Sequence, residues 1–289
     1  MTQTYKLRNT LRPAESEKLK GKFLTDNDYD LVIDHDADGY DLHGNLLFRF
    51  RRNVIPFDTL KLGYESFKDS IQSTTSRGAA SGGSFKRVRN DGSISNTTVG
   101  HPVDSGNVGF MDASAMIHYC RKTAFAREYF DKFTAGLPFV QFVDHMYAQL
   151  CPTHYARQFA IAQGTNQNYR IGETSFTTVT VNRNFVTAVH QDSGDFRQGF
   201  GNLSVYREGA YEGGYFCLPE YRVAIDMQNT DLLFVDVHRW HGNTPTHNTS
   251  SDWLRISFVM YYREYMYRCR APKDELNYIK NKELGFYNL

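Results

Sequence analysis

The pattern of apolar and polar positions divides the chain into regions of different character. Residues 1–70 mix a short helix candidate at 14–23 with strand-like pieces such as 46–54. Residues 71–109 are dominated by Ser, Thr, Gly, Asn and basic side chains, carry little apolar periodicity and predict a loop. From Asp112 to about Gln163 apolar residues return at three- and four-residue intervals, as in Ala126-Arg-Glu-Tyr-Phe-Asp-Lys-Phe and Phe139-Val-Gln-Phe-Val-Asp-His-Met-Tyr. That spacing belongs to helices with one buried face. The run 177–190 is rich in β-branched residues and predicts a strand; 232–241 and 254–263 predict two more, each preceded by a polar turn. Helices followed by short strands predict an α+β fold: a double-stranded β-helix core, jelly-roll or cupin-like, with helices packed outside one sheet. The chain shows no internal repeat.

Alternation along these strands groups the candidate chemistry. His190 and Asp192 share one face, about 7 Å apart along a strand, and Asn182, Asn184 and Ala188 fall on it too. Arg255, Ser257, Val259, Tyr261 and Arg263 share a face of the third strand. An isolated His-x-Asp pair is a weak signal. Joined by a distant second His and an Arg on the next strand, it forms a 2-His-1-carboxylate facial triad. Such a triad leaves three positions of a non-haem iron open, enough for a bidentate co-substrate and O2. An inward Arg255 with the Ser257 hydroxyl two residues on suits the distal carboxylate of 2-oxoglutarate. The cofactors implied are Fe(II), 2-oxoglutarate and O2. Alternation alone does not choose between His238 and His241 as the third ligand.

Composition adds limits. A chain of 289 residues fits one elaborated domain, 1–289, with 1–110 an N-terminal extension and 111–289 the helices and core. Four cysteines, Cys120, Cys151, Cys217 and Cys269, lie far apart without Cys-x-x-Cys spacing, which argues against a structural zinc and against a disulfide framework. The opening residues lack the apolar stretch of a signal peptide, and no segment approaches transmembrane length. The expectation is a reducing, intracellular compartment, cytoplasmic or nuclear, no membrane, and a monomer. A net charge of +1 leaves the charge distribution to decide on polyanionic partners.

Val181-Asn-Arg-Asn-Phe, Ala188-Val-His-Gln-Asp-Ser-Gly-Asp195, Gly213-Gly-Tyr-Phe-x-x-Pro219, His241-Gly-Asn-Thr-Pro245 and Arg255-Ile-Ser-Phe-Val-Met-Tyr-Tyr resemble the TET and base J-binding protein dioxygenases. Those enzymes hydroxylate the 5-methyl group of cytosine or thymine in DNA. The resemblance covers roughly residues 165–265 and fades over the first hundred. The cysteine-rich zinc module of animal TET enzymes is missing, and there is no room for a separate base J recognition domain. The chain looks like a compact, stand-alone member.

The resemblance implies the remaining roles. His241, followed by Pro245, becomes the third metal ligand, and His238 a neighbour of the site or a surface residue. Asn184 joins Arg255 and Ser257 at the co-substrate. Tyr261 stands where an aromatic stacks on a base flipped out of the duplex. Asp195 and Arg263 occupy the positions that read the polar edge of that base. A carboxylate accepting from N4 and a guanidinium donating to O2 satisfy cytosine with these two residues, whereas thymine needs a further donor for O4, so the reading leans to 5-methylcytosine. Between Ser70 and Asn90 no acidic residue occurs, and Arg77, Lys86, Arg87 and Arg89 make this basic Gly/Ser-rich segment the candidate contact for double-stranded DNA. The alternative function is a 2-oxoglutarate-dependent hydroxylase of a free nucleoside or other small molecule. A non-catalytic DNA-binding module has no reason to keep three ligands together with Arg255.

Overall fold

A computed structural model describes residues 2–89, 91–114, 117–247 and 249–283. Among them, two sheets face one another across the site. The larger runs in the order Gln3–Leu7, Ala37–Asp41, Leu46–Arg51, Leu232–Val235, Gly201–Glu208, Leu254–Tyr261, Thr178–Arg183, Val103–Met111 and Gln72–Thr74, with Arg121–Lys122 added beside Val103–Met111. The smaller runs Gly242–Asn243, Phe216–Leu218, Val223–Ile225 and Leu31–Ile33. Phe48, Leu203, Val205, Leu233 and Val235 of the larger sheet pack against Phe216, Leu218, Val223 and Ile225 of the smaller one. The opposite face of the larger sheet, through Val179, Val181, Phe234, Phe258 and Met260, meets Phe139, Val143 and Tyr147 of the helix Leu137–Leu150. This is the expected double-stranded β-helix with helices outside one sheet.

Leu254–Tyr261 is buried on both faces, and alternation decides what each side chain meets. Ile256, Phe258 and Met260 enter the helical core, while Arg255, Ser257, Val259 and Tyr261 line an internal cavity. The helix Phe57–Phe67 joins the same layer, and only a glycine fits at its contact: a Cβ on Gly63 would lie 2.3 Å from the Phe139 ring.

Four expectations need correction. The segment 71–109 is not a loop; it holds the edge strand Gln72–Thr74, a hairpin of Ser84–Val88 with Ile94–Gly100, and most of the long strand Val103–Met111. Both faces of the hairpin are solvated, so it leaves no apolar alternation for the sequence to reveal. The strand at 177–190 ends at Arg183, because Asn184 turns into the left-handed region at φ 47°. The segment following Asp112 is irregular before Ala124, where the helices begin. Finally, Cys120 and Cys269 form a disulfide, 149 residues apart in sequence, while Cys151 and Cys217 are free and buried. Cysteine spacing therefore gives no support to a reducing compartment. Among the described residues no helix is long and apolar enough to cross a membrane.

Candidate metal centre and base pocket

His190 and His241 come together through an isolated antiparallel bridge, each N–H donating to the other's carbonyl at 2.9 and 3.0 Å. Asp192 completes the group. Its Oδ1 lies 3.5 Å from His190 Nε2 and its Oδ2 3.5 Å from His241 Nε2. Ligand atoms from all three lie within 4.8 Å of one another, and theirs is the one such cluster found among the described residues. Each imidazole is fixed from behind: His190 Nδ1 donates to the Ala188 carbonyl at 2.8 Å, and His241 Nδ1 to that of Arg239 at 2.9 Å. Those bonds select the tautomer whose Nε2 lone pair faces Asp192, the arrangement a metal requires.

Electrostatics agree with the geometry. Burial, reinforced by His241, pushes His190 down to about 4, so it is neutral at pH 7. Burial alone would raise Asp192, but the close approach of the His241 imidazole, and then of His190, outweighs it and holds the carboxyl at about 2. Two nitrogen donors and one carboxylate on one side fit Fe(II), with room opposite for 2-oxoglutarate. His238 is not part of the cluster; its Nε2 donates to the Asp195 carbonyl at 3.2 Å, and its Nδ1 stands 3.3 Å from Asp236.

The triad opens into a cavity of about 330 Å³ lined also by Arg255, Ser257, Asp195, Tyr261, Arg263 and Arg77. Arg255 is buried, which lowers its pKa, and no carboxylate among the described residues lies within ion-pair distance of it. A buried cation without an anion fits an acidic co-substrate. Ser257 Oγ beside it accepts from Asn182 Nδ2 at 3.3 Å. At the other end, Tyr261 Oη lies 3.2 Å from Thr180 Oγ1, and Asp195 bridges to Arg263 through the backbone. Burial first, then the charge of Asp192, pushes the Asp195 carboxyl well above the usual carboxylate range.

Two sequence expectations change here. Asn184 does not line this cavity; its Oδ1 accepts the Arg255 backbone N–H at 2.7 Å and its own N–H donates to the Arg255 carbonyl at 2.8 Å. Its side chain is committed to holding the Arg255 strand, which removes it from the co-substrate shell. Arg77 turns inward rather than toward a DNA surface. The turn Gly78–Ser81 folds over the cavity, tied down where Ala188 N–H donates to the Ala80 carbonyl. One Arg77 nitrogen reaches Asn107 at 3.3 Å, and its buried Nε has no partner. Lys86, Arg87 and Arg89 remain outside on the exposed hairpin.

Asp112 was not visible in the sequence as a site residue. It is buried at the end of Val103–Met111, and its Oδ1 accepts from Arg263 Nε at 2.7 Å. Burial works against the Arg263 charge, but Tyr261 and Asp112 outweigh it and raise the guanidinium pKa. No motif marks Asp112, since its partner lies 151 residues away.

A model of the Tet_JBP family, the oxygenase domain of the 2OGFeDO superfamily, matches residues 111–264. The bifunctional helicase and thymine dioxygenase JBP2 of Leishmania braziliensis is 38% identical over 169 residues, which is 58% of this chain and 15% of that protein. Thymine dioxygenase JBP1 of Trypanosoma brucei brucei is 30% identical over 265 residues, 85% of this chain and 30% of that protein. The chain thus spans a minor part of the length of these relatives. Among solved structures, NgTET1 in complex with 5mC DNA aligns over 90% of each chain with a TM-score of 0.60 at 14% identity, a likeness of fold. With the family's model covering more than half of its length and the His-Asp-His cluster inside that match, the chain belongs to the Tet_JBP family of oxygenase domains.

Proposed function

We propose that this chain is an Fe(II)- and 2-oxoglutarate-dependent dioxygenase that hydroxylates the 5-methyl group of a pyrimidine in double-stranded DNA, with thymine as the first substrate. One observation carries the reading: the triad, an anion-lacking Arg255 and a set of polar base-edge readers converge on a single cavity. When bound, iron and 2-oxoglutarate supply the activation of O2 that oxidises the methyl group. The chain's own residues do the rest. His190, Asp192 and His241 would hold the metal, while Arg255 and Ser257 orient the co-substrate. Tyr261 offers a ring face to a flipped base. Asp195, Arg263 and Arg77 are placed to read its edge, and Asp112 keeps Arg263 in position.

The cavity holds one carboxyl and two guanidinium groups for the edge, one more donor than the cytosine reading needed. Thymine presents acceptor, donor, acceptor at O4, N3 and O2, and a carboxyl oxygen facing N3–H with guanidinium donors at either side answers it. The same set also meets cytosine if the carboxylate faces N4. What favours thymine is the company the chain keeps: relatives 30% and 38% identical are, by name, thymine dioxygenases. This reverses the lean toward 5-methylcytosine, which rested on economy with two residues.

Incubation with iron, 2-oxoglutarate and matched duplexes carrying either thymine or 5-methylcytosine as the sole target, followed by digestion and mass measurement of nucleosides, tests the proposal. The expected product is 5-hydroxymethyluracil. Product from 5-methylcytosine alone overturns the choice of base. Oxidation of free nucleoside with neither duplex touched overturns the DNA reading.

A further inference from the structure

The hairpin of Ser84–Val88 and Ile94–Gly100 carries two apolar side chains that lie outside both cores. Val88 is 70% exposed and Ile94 63%, the highest values among the large hydrophobic side chains of the described residues. They are direct cross-strand partners, so they stand side by side on one face at the far end of the hairpin. Lys86, Arg87 and Arg89 flank Val88 along the chain, all exposed. The nearby Asp91 carboxylate is engaged within the turn, accepting from the Ser93 N–H at 2.9 Å and from its hydroxyl at 2.7 Å. Near the root, Phe85 is packed on His101 with ring centroids 4.8 Å apart.

The root of this hairpin adjoins the reaction cavity. Ser84 and Gly100 border an open depression together with Ser76, Gly78 and Ala79, and Ser76, Arg77, Ala79 and Ala80 in turn line the cavity that holds the triad. A five-residue strand reaches about 17 Å, and a two-stranded ribbon has the width that the major groove of B-DNA admits. An exposed apolar pair with three cations close by in the chain is poorly suited to water and well suited to a polyanion with a stacked apolar interior.

We propose that Val88 and Ile94 are a wedge that enters the base stack of duplex DNA beside the target and fills the gap left as the target nucleotide turns into the cavity. The inference rests on the proposed action on DNA and deepens it. Extruding a paired base gives up its pairing and stacking, and apolar side chains inserted between base steps replace part of the lost stacking. Lys86, Arg87 and Arg89 would hold the flanking phosphates and position the tip. A wedge matters only where there is a stack to open; a single strand has none.

The double variant V88S/I94S, both substitutions at exposed positions, tests this with three oligonucleotides of one sequence: fully paired, single-stranded, and paired with an abasic site opposite the target. Hydroxylated nucleoside is measured by mass. The expected result is a loss of tenfold or more on the paired duplex and a rate within twofold of the parent on the single strand. Most of the duplex loss should return opposite the abasic site. A variant within twofold of the parent on the paired duplex overturns the wedge, as does an equal loss on all three substrates. A parent protein that hydroxylates none of the three, yet converts a free nucleoside, overturns the DNA reading itself; an active parent with an unaffected variant overturns the wedge alone.

Discussion

Replacing Arg255 with methionine should separate two properties that usually move together, the stability of the free protein and its response to 2-oxoglutarate. The guanidinium is buried, and burial, the largest influence on it, lowers its pKa; Tyr211 acts in the opposite sense and Arg207 adds to the fall. Removing a buried charge while keeping volume is neutral or stabilising in many proteins, so the free variant should melt no lower than the parent. In the proposed complex the 2-oxoglutarate carboxylate would supply the missing anion. Ligand at one hundred times its Kd stabilises by about 2.7 kcal/mol. At about 2–4 °C per kcal/mol for domains approaching this size, that is a rise in Tm of roughly 5–10 °C. Losing the partner of a buried charged contact costs about 2–5 kcal/mol, so affinity should fall by roughly thirtyfold or more. At a hundredfold loss the same ligand concentration merely equals Kd and stabilises by about 0.4 kcal/mol, on the order of 1 °C. Thermal unfolding with and without 2-oxoglutarate, with Mn(II) in place of iron to prevent turnover, measures both quantities. A variant that keeps most of the ligand-dependent rise removes Arg255 from the co-substrate site. A free variant that melts several degrees lower means that the guanidinium's contact with Tyr211 outweighs the cost of burying its charge.

Three further outcomes are expected. His190→Ala, Asp192→Ala and His241→Ala should each abolish turnover, while His238→Ala, outside the ligand cluster, keeps a substantial fraction; a dead His238→Ala with an active His241→Ala reverses the assignment. Asp38 faces Arg49 and Arg51 at 2.6 and 2.8 Å; burial opposes its charge, but the two arginines outweigh it and hold the carboxyl below the usual range. A depressed carboxyl stabilises the fold above its unfolded pKa of about 3.9 and loses that contribution as pH falls through the folded value. The deficit of Asp38→Asn in denaturant titrations should therefore be largest near pH 7 and shrink below pH 4. Reduction of Cys120–Cys269 should lower Tm, since a bridge across 149 residues removes much unfolded-chain entropy, about 5 kcal/mol in the simplest account; Cys120→Ser should melt like the reduced parent and ignore added reductant.

The parts of this molecule that were legible in the sequence are those whose signal is local. The helix Leu137–Leu150 shows its buried face at three- and four-residue intervals, and Leu254–Tyr261 shows the two-residue period of a strand. The triad was legible because two of its members are two residues apart and the third precedes, by four residues, the proline through which the family resemblance singled it out. Features that depend on distant partners were not. Asp112 acquires its role from Arg263, and the disulfide joins segments 149 residues apart. Arg77 reads as one more basic residue in a polar stretch until the Gly78–Ser81 turn folds it inward. The overlong strand at 177–190 fails for a related reason. β-Branched residues continue past Arg183, but Asn184 is drawn into the left-handed region while its side chain pairs with the backbone of Arg255, a contact across 71 residues.

Leu254–Tyr261 explains why the fold and the site could be read together. Its even-numbered residues Ile256, Phe258 and Met260 fasten it to the helical layer, and this packing aims Arg255, Ser257, Val259 and Tyr261 into the cavity. A slip of one residue in register would exchange the two sets, placing a guanidinium against Phe139 and Val143. Neighbouring strands hold the register on both sides: Asn182 pairs with Ser257 across from Thr178–Arg183, and Val205 with the same Ser257 from Gly201–Glu208. Asn184 closes the arrangement at its end by binding both backbone groups of Arg255. The asparagine that the sequence placed among the co-substrate ligands thus acts on the backbone instead, by fixing Arg255, the residue proposed to meet the co-substrate.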